Sequence, residues 1–166
     1  MPPETDNLQL QELFDADQKD RERVYDSPAD VKALHERDSS QRKRVYMMME
    51  LGEVRTKNDL YCAAVLLQHG DSPADFLGAH RMATLGAIQG HRTCRWLLAS
   101  SLDRYLMSLG LGQIYQTQFE YNKDDGRYQL RLPVQDQVFL SFEKEFLAVP
   151  QASARLGELN ERIKKR

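Results

Sequence analysis

The chain of 166 residues sets 23 lysines and arginines against 25 aspartates and glutamates, a net charge of −2, and 41% of it is hydrophobic. Such a length and apolar share exclude wholesale disorder and suit a single domain over 1–166, with loose ends expected at 1–6 and 164–166. An isoelectric point near 6.1 lacks the footprint of a nucleic-acid binder, and two cysteines cannot build a disulfide framework. The longest apolar run, Leu60 to Leu67, falls far short of the roughly 18 residues that span a bilayer, and the proline- and acid-rich opening does not resemble a signal peptide. A cytoplasmic protein with no nucleic-acid or membrane partner is expected.

Leu8, Leu10, Leu13, Phe14 and Val24 form an apolar stripe behind three capping residues, Thr5, Asp6 and Asn7, which predicts a helix from Asn7 to about Tyr25. Ser27-Pro28-Ala29-Asp30 combines a capping hydroxyl, a proline at the first helical position and an acid in the first turn, predicting a short helix to about Glu36. Asp38 with Gln41 repeats the capping pattern and predicts a new helix, with Val45, Met48, Met49 and Leu51 inward and Gly52 at its end. Thr56 and Asp59 open the next, whose apolar run Leu60 to Leu67 faces neighbours on all sides.

Gly70 stops that helix, and Ser72-Pro73-Ala74-Asp75 starts another with Phe76, Ala79, Ala83 and Ala87 on one stripe, ending at Gly90. Thr93 to Ser108 follows, carrying Trp96, Leu97, Ala99, Leu102 and Leu106. After Gly112 the period changes: Phe119, Tyr121, Tyr128, Leu130 and Leu132 alternate with polar residues about Asp124-Asp125-Gly126, a β-hairpin pattern. Val134 to Phe146 is predicted helical, Pro150 breaks it, and Leu156 to Ile163 forms an amphipathic tail. The expected fold is mainly α, a compact helical-repeat-like bundle of five to seven helices with one β-hairpin near 117–132. Ser27-Pro-Ala-Asp with His35 is echoed by Ser72-Pro-Ala-Asp with His80, which reads either as a duplicated helix pair or as two independent caps.

Three polar groups border this apolar pattern. His69 and Asp71 directly follow the most hydrophobic helix, and an imidazole beside a carboxylate can act as a general base; alternatively Gln68 and His69 bond free helix carbonyls while Asp71 or Ser72 caps the next helix. Asp103 and Arg104 interrupt an apolar helix and point about 100° apart, so each needs another partner, for which Asp17, Gln18 and Arg21 are candidates; a structural ion network is the competing reading. Gln113, Tyr115 and Thr117 share one face of an extended segment with Gln118 opposite, a surface suited to recognising amides or hydroxyls. His69, His80 and His91 are evenly spaced but cross helix breaks without a metal-site motif, so no metal or cofactor is expected, and Cys62 and Cys94 read as buried small hydrophobes.

Taken in order, Asp17-Gln18-x-x-Arg21, Gln68-His69-Gly70-Asp71, Ala79-His80, Arg95-Trp96-Leu97, Asp103-Arg104-Tyr105-Leu106 and Gln113-x-Tyr115-Gln116-Thr117-Gln118 resemble a family of small bacterial proteins catalogued as a domain of unknown function. Its pattern is D-Q-x-x-R, Q-H-x-D, D-R and Q-x-Y-G-T-Q, and the likeness spans about Leu13 to Val149. The resemblance implies a shared fold and site but no particular reaction. Gln116 stands where that pattern has glycine and Gly112 where proline is common, which matters if the glycine serves a positive φ. Ala63 to Leu98 is more weakly similar to one unit of tetratricopeptide-type helical repeats.

Two function classes remain. One is a non-catalytic module that binds a small molecule or peptide at His69, Asp103 and the Gln113–Gln118 segment. The other is a small hydrolase- or transferase-like enzyme with His69 as general base, Asp71 or Asp103 orienting it, Arg21 or Arg104 holding an anion, and Tyr115 and Gln118 binding substrate.

Overall fold

The structure, a computed structural model, describes residues 5–23, 25, 27–135 and 141–164. Among them seven helices and one two-stranded antiparallel sheet follow in the order α1 (Leu8–Arg21), α2 (Pro28–Glu50), α3 (Lys57–Gln68), α4 (Pro73–Ile88), α5 (Arg92–Ser108), β1 (Phe119–Asn122), β2 (Arg127–Leu130), α6 (Ser141–Phe146) and α7 (Ala152–Lys164). The chain is therefore a mainly helical bundle with one hairpin, as its periodicity predicts.

The start signals act where the sequence places them. Asn7, Ser27, Thr56 and Ser72 each accept a backbone N–H with their side chains, and at Thr56 and Ser72 the acid three residues on completes a capping box. Asp59 also receives the Asn7 amide at 2.8 Å, which ties the beginnings of α1 and α3 together. Ser27 and Ser72 thus serve as good caps, but the histidines of the two matching segments part company: His35 is exposed, whereas His80 meets the Leu98 carbonyl through Nδ1 at 3.0 Å.

Two boundaries differ from expectation. Glu36 to Asp38 contains neither glycine nor proline, so α2 runs without interruption and Asp38 is a mid-helix residue whose carboxylate takes Arg21 at 2.8 Å rather than a capping N–H. Val134 does not begin a helix; it forms a parallel bridge with Gln113, and helical structure begins at Ser141. The predicted helix also covers 136–140, which with Val24 and the outermost ends 1–4 and 165–166 lie outside the described residues.

α3 is the hub. It contacts α1, α2, α4 and α5, and Leu60, Ala63, Ala64, Leu66 and Leu67 are buried around its circumference. Leu10 and Leu13 of α1, Val45 and Met48 of α2, Ala79, Met82 and Ala83 of α4 and Leu97 of α5 complete the core. Small residues set the spacing: a Cβ built on Gly86 would lie 2.6 Å from the Cys94 sulfur and 3.4 Å from Leu60, so only glycine allows α4 this close to α5 and α3. The hairpin pairs Phe119 with Leu130 and Tyr121 with Tyr128, and α7 braces it through Asn160, which exchanges two hydrogen bonds with the Tyr128 backbone. Among the described residues no helix is long and apolar enough to cross a membrane.

Candidate functional site

An α-helix ends with carbonyls that lack partners and carry partial negative charge. At the end of α3 two guanidiniums answer that need: Arg104 of α5 donates to the Gln68 carbonyl at 2.8 Å, and Arg42 of α2 donates to the His69 carbonyl at 3.3 Å. Arg42 also lies 3.5 Å from Asp75, at the start of α4. Gly70 makes the turn possible, because a Cβ there would meet the Asp75 side chain at 2.3 Å. Burial alone would raise the Asp75 pKa, but hydrogen bonds from Ser72 and Tyr46 and the charge of Arg42 hold it below the ordinary carboxylate value. The chain on either side of His69 is thereby fixed.

From this mount the imidazole reaches α1. His69 Nδ1 lies 3.0 Å from Oδ1 of Asp17, a buried carboxylate that also accepts from Gln18 at 2.8 Å and from Arg21 at 3.1 Å. Burial pushes the Asp17 pKa up, yet the His69 hydrogen bond, the charges of His69 and Arg21 and the Gln18 bond together bring it below its ordinary value. An ionised carboxylate only accepts, so Nδ1 carries a proton, and in the neutral form of the ring Nε2 is a lone-pair acceptor. Nε2 has no hydrogen-bond partner among the described residues. His69 lines an open cleft of about 440 Å³ with Gln18, Arg21, Tyr61, Val65, Gln68, Thr93, Trp96 and Leu97.

Asp17, Gln18 and Arg21 of α1 thus come together with His69 at the end of α3, while the other candidates do not join them. Asp71 is on the solvent side of the turn, where its nearest charge is Arg42 at 3.5 Å; it does not orient His69, because Asp17 occupies Nδ1. Asp103 is fully buried and does not face His69 either. Its Oδ1 accepts the amides of Ile114 and Tyr115 at 2.7 and 2.9 Å, and its Oδ2 accepts the amide and hydroxyl of Thr117 at 3.0 and 2.8 Å. Four donors to one carboxylate make a structural anchor for the loop that leads into the hairpin.

Gln113 and Gln118 lock the same loop. Gln113 donates to the Gln118 and Arg131 carbonyls and accepts the Gln118 amide at 2.9 Å, and it is fully buried, so its amide is committed to the chain itself. Gln118 donates to the Ser100 carbonyl and to the Thr117 hydroxyl and accepts Arg104 Nε at 3.1 Å. Burial, with the nearby acids Glu143 and Asp103, pushes the Tyr115 phenol above its ordinary value, and its ring does not line the His69 cleft. Gln116 adopts φ 59°, the left-handed region in which glycine is at ease, so the glycine of the resembled pattern falls on a position that needs it.

The evenly spaced histidines separate: His69 meets Asp17, His80 meets a backbone carbonyl, and His91 stacks on Tyr61 with ring centroids 4.4 Å apart. Tyr61 and Thr93 are wall residues that no motif singled out, whereas Trp96 stands in the Arg95-Trp96-Leu97 piece of the resemblance. Their signal is helical spacing, since Tyr61, Val65 and Gln68 form one stripe of α3 and Thr93, Trp96 and Leu97 one stripe of α5. Comparisons with protein-family models, with curated proteins and with solved structures find no match to this chain.

Proposed function

We propose that the chain is a helical ligand-binding protein whose site is the cleft between α1, α3 and α5, where a small polar molecule lies against His69 with Trp96 and Tyr61 beside it. The observation that carries this reading is the Asp17–His69 hydrogen bond, which orients an imidazole on the wall of an open cavity and leaves its second nitrogen without a partner among the described residues. Two of the ordered motifs, D-Q-x-x-R and Q-H, supply Asp17, Gln18, Arg21, Gln68 and His69 at this one place, which also favours a shared site with the family they resemble. The other two motifs, D-R and the Gln113–Gln118 segment, support it from behind.

The same hydrogen bond favours a second reading, a small hydrolase- or transferase-like enzyme in which Nε2 of His69 removes a proton from the bound molecule or from water. Asp17 then holds the tautomer and stabilises the imidazolium that forms, the role a carboxylate plays behind a catalytic histidine.

Trp96 is the single tryptophan of the chain and lines the cleft, so its emission reports occupancy. A metabolite library screened by this signal should yield a ligand whose effect disappears in His69→Ala and in Thr93→Phe, the latter adding bulk at the exposed rim. A library without a hit, or a hit indifferent to both substitutions, overturns the assignment. Under the enzyme reading the identified ligand turns over, and Asp17→Asn lowers the rate by about 10³-fold or more; a ligand that is bound and never transformed leaves the binding reading alone.

A further inference from the structure

Guanidiniums near the interior of this protein find carboxylates. Arg21 has Asp17 and Asp38, Arg37 has Asp20, and Arg42 has Asp71 and Asp75. Arg104 has none among the described residues. Its Nη1 and Nε meet the Gln68 carbonyl and the Gln118 side-chain oxygen, both neutral acceptors, and its sequence neighbour Asp103 is already saturated by the loop at 114–117. Burial, together with Arg21 and Arg131, pushes the Arg104 pKa down, so the protein holds a cation where its own surroundings oppose one.

Arg104 lines a cavity of about 390 Å³ nearer the C-terminal end of α5, with Phe76 of α4 and Phe119 of the hairpin. A second guanidinium, that of Arg131, lines the same cavity; it is exposed and also lacks a carboxylate among the described residues. The remaining wall includes Phe76, Met107 and Phe119. We propose that this cavity is an anion site distinct from the His69 cleft, which takes a phosphate monoester bearing an aromatic or apolar group. Two positive forks match the charge of about −1.5 to −2 that a phosphate monoester carries at neutral pH, whereas a carboxylate neutralises only one. The three apolar side chains receive the substituent.

Phenyl phosphate is the probe, with inorganic phosphate, phenol and benzoate as its parts and its singly charged counterpart. Calorimetric titration of the intact chain should show phenyl phosphate binding at least tenfold more tightly than any of the three, and more weakly as salt is raised. Arg104 also fastens the end of α3, so the informative variant is Arg131→Ala, expected to lower affinity about tenfold or more without moving the melting temperature. His69→Ala should leave the affinity unchanged, which separates this site from the cleft. Absence of binding at millimolar phenyl phosphate, equal affinity in Arg131→Ala, or loss of affinity in His69→Ala each overturns the proposal.

Discussion

Asp103 receives both the amide and the hydroxyl of Thr117, at 3.0 and 2.8 Å, and so joins the middle of α5 to the chain that enters the hairpin. Replacing it with asparagine puts an NH₂ donor against backbone N–H groups that can only donate. Asp103→Asn is expected to lower stability by about 3 kcal/mol, measured by urea unfolding. His69→Ala should cost about 1 kcal/mol, since Asp17 keeps Arg21 and Gln18. Similar losses in the two variants contradict the division between anchor and site.

Gln116 bears a Cβ at φ 59°. Left-handed backbone costs a side-chain-bearing residue about 1–2 kcal/mol, part of which glycine returns through its freer unfolded chain. Gln116→Gly should therefore stabilise the protein by about 0.5–1 kcal/mol and Gln116→Ala should not, as thermal unfolding of the pair will show.

The contact between Gly86 and Cys94 can be tested as a cycle. Gly86→Ala places a methyl group 2.6 Å from the thiol and is expected to cost about 1–3 kcal/mol. With Cys94→Ala in the background the same change should cost clearly less, because the obstructing sulfur is gone; additive losses would show that some other atom sets the spacing.

Burial raises the thiols of Cys62 and Cys94 to about 12 and about 11, so almost no thiolate exists in the native protein at pH 8. A chromogenic thiol reagent should titrate neither cysteine until denaturant is added, and both afterwards. Rapid native labelling of either residue would contradict the packing of α3 against α5.

Asp75 links folding to pH. Its folded pKa lies below the ordinary 3.8, so the stability it contributes is complete above that value and disappears as pH falls through the folded one. Asp75→Asn should start from a lower melting temperature and lose less of it between pH 5 and pH 2 than the parent chain does. Parallel decline of the two would assign the acid sensitivity to other carboxylates.

How far these features can be read from sequence depends on whether they are local. Thr56 with Asp59 and Ser72 with Asp75 act within one turn, and their spacing alone reveals the caps. Asp38 carries the same local pattern, but it lies in a stretch without a helix breaker and its partner Arg21 belongs to another helix, so the pattern misleads. His69 shows the converse. Asp71 is its near neighbour in sequence and lies across the turn from it, while Asp17 reaches the ring only because α1 packs on α3. For Asp103 and Arg104 the need for partners is visible from their place in an apolar helix, and two of the partners, the Thr117 hydroxyl and the Gln118 side-chain oxygen, lie in the marked 113–118 segment; the rest are loop amides and a helix carbonyl, groups that every residue possesses and that no side-chain motif marks.

Arg42 of α2 and Arg104 of α5 both moor the end of α3. Should the cleft bind a ligand as proposed, a ring carried on a turn held in this way has less latitude to follow an arriving molecule, and part of the ordering that recognition requires is made in advance. Under the proposed binding role, discrimination among guests of equal charge would fall to outline: a guest that matches the hollow lined by Trp96 would enter without rearranging the helices, and one a few atoms too wide would not.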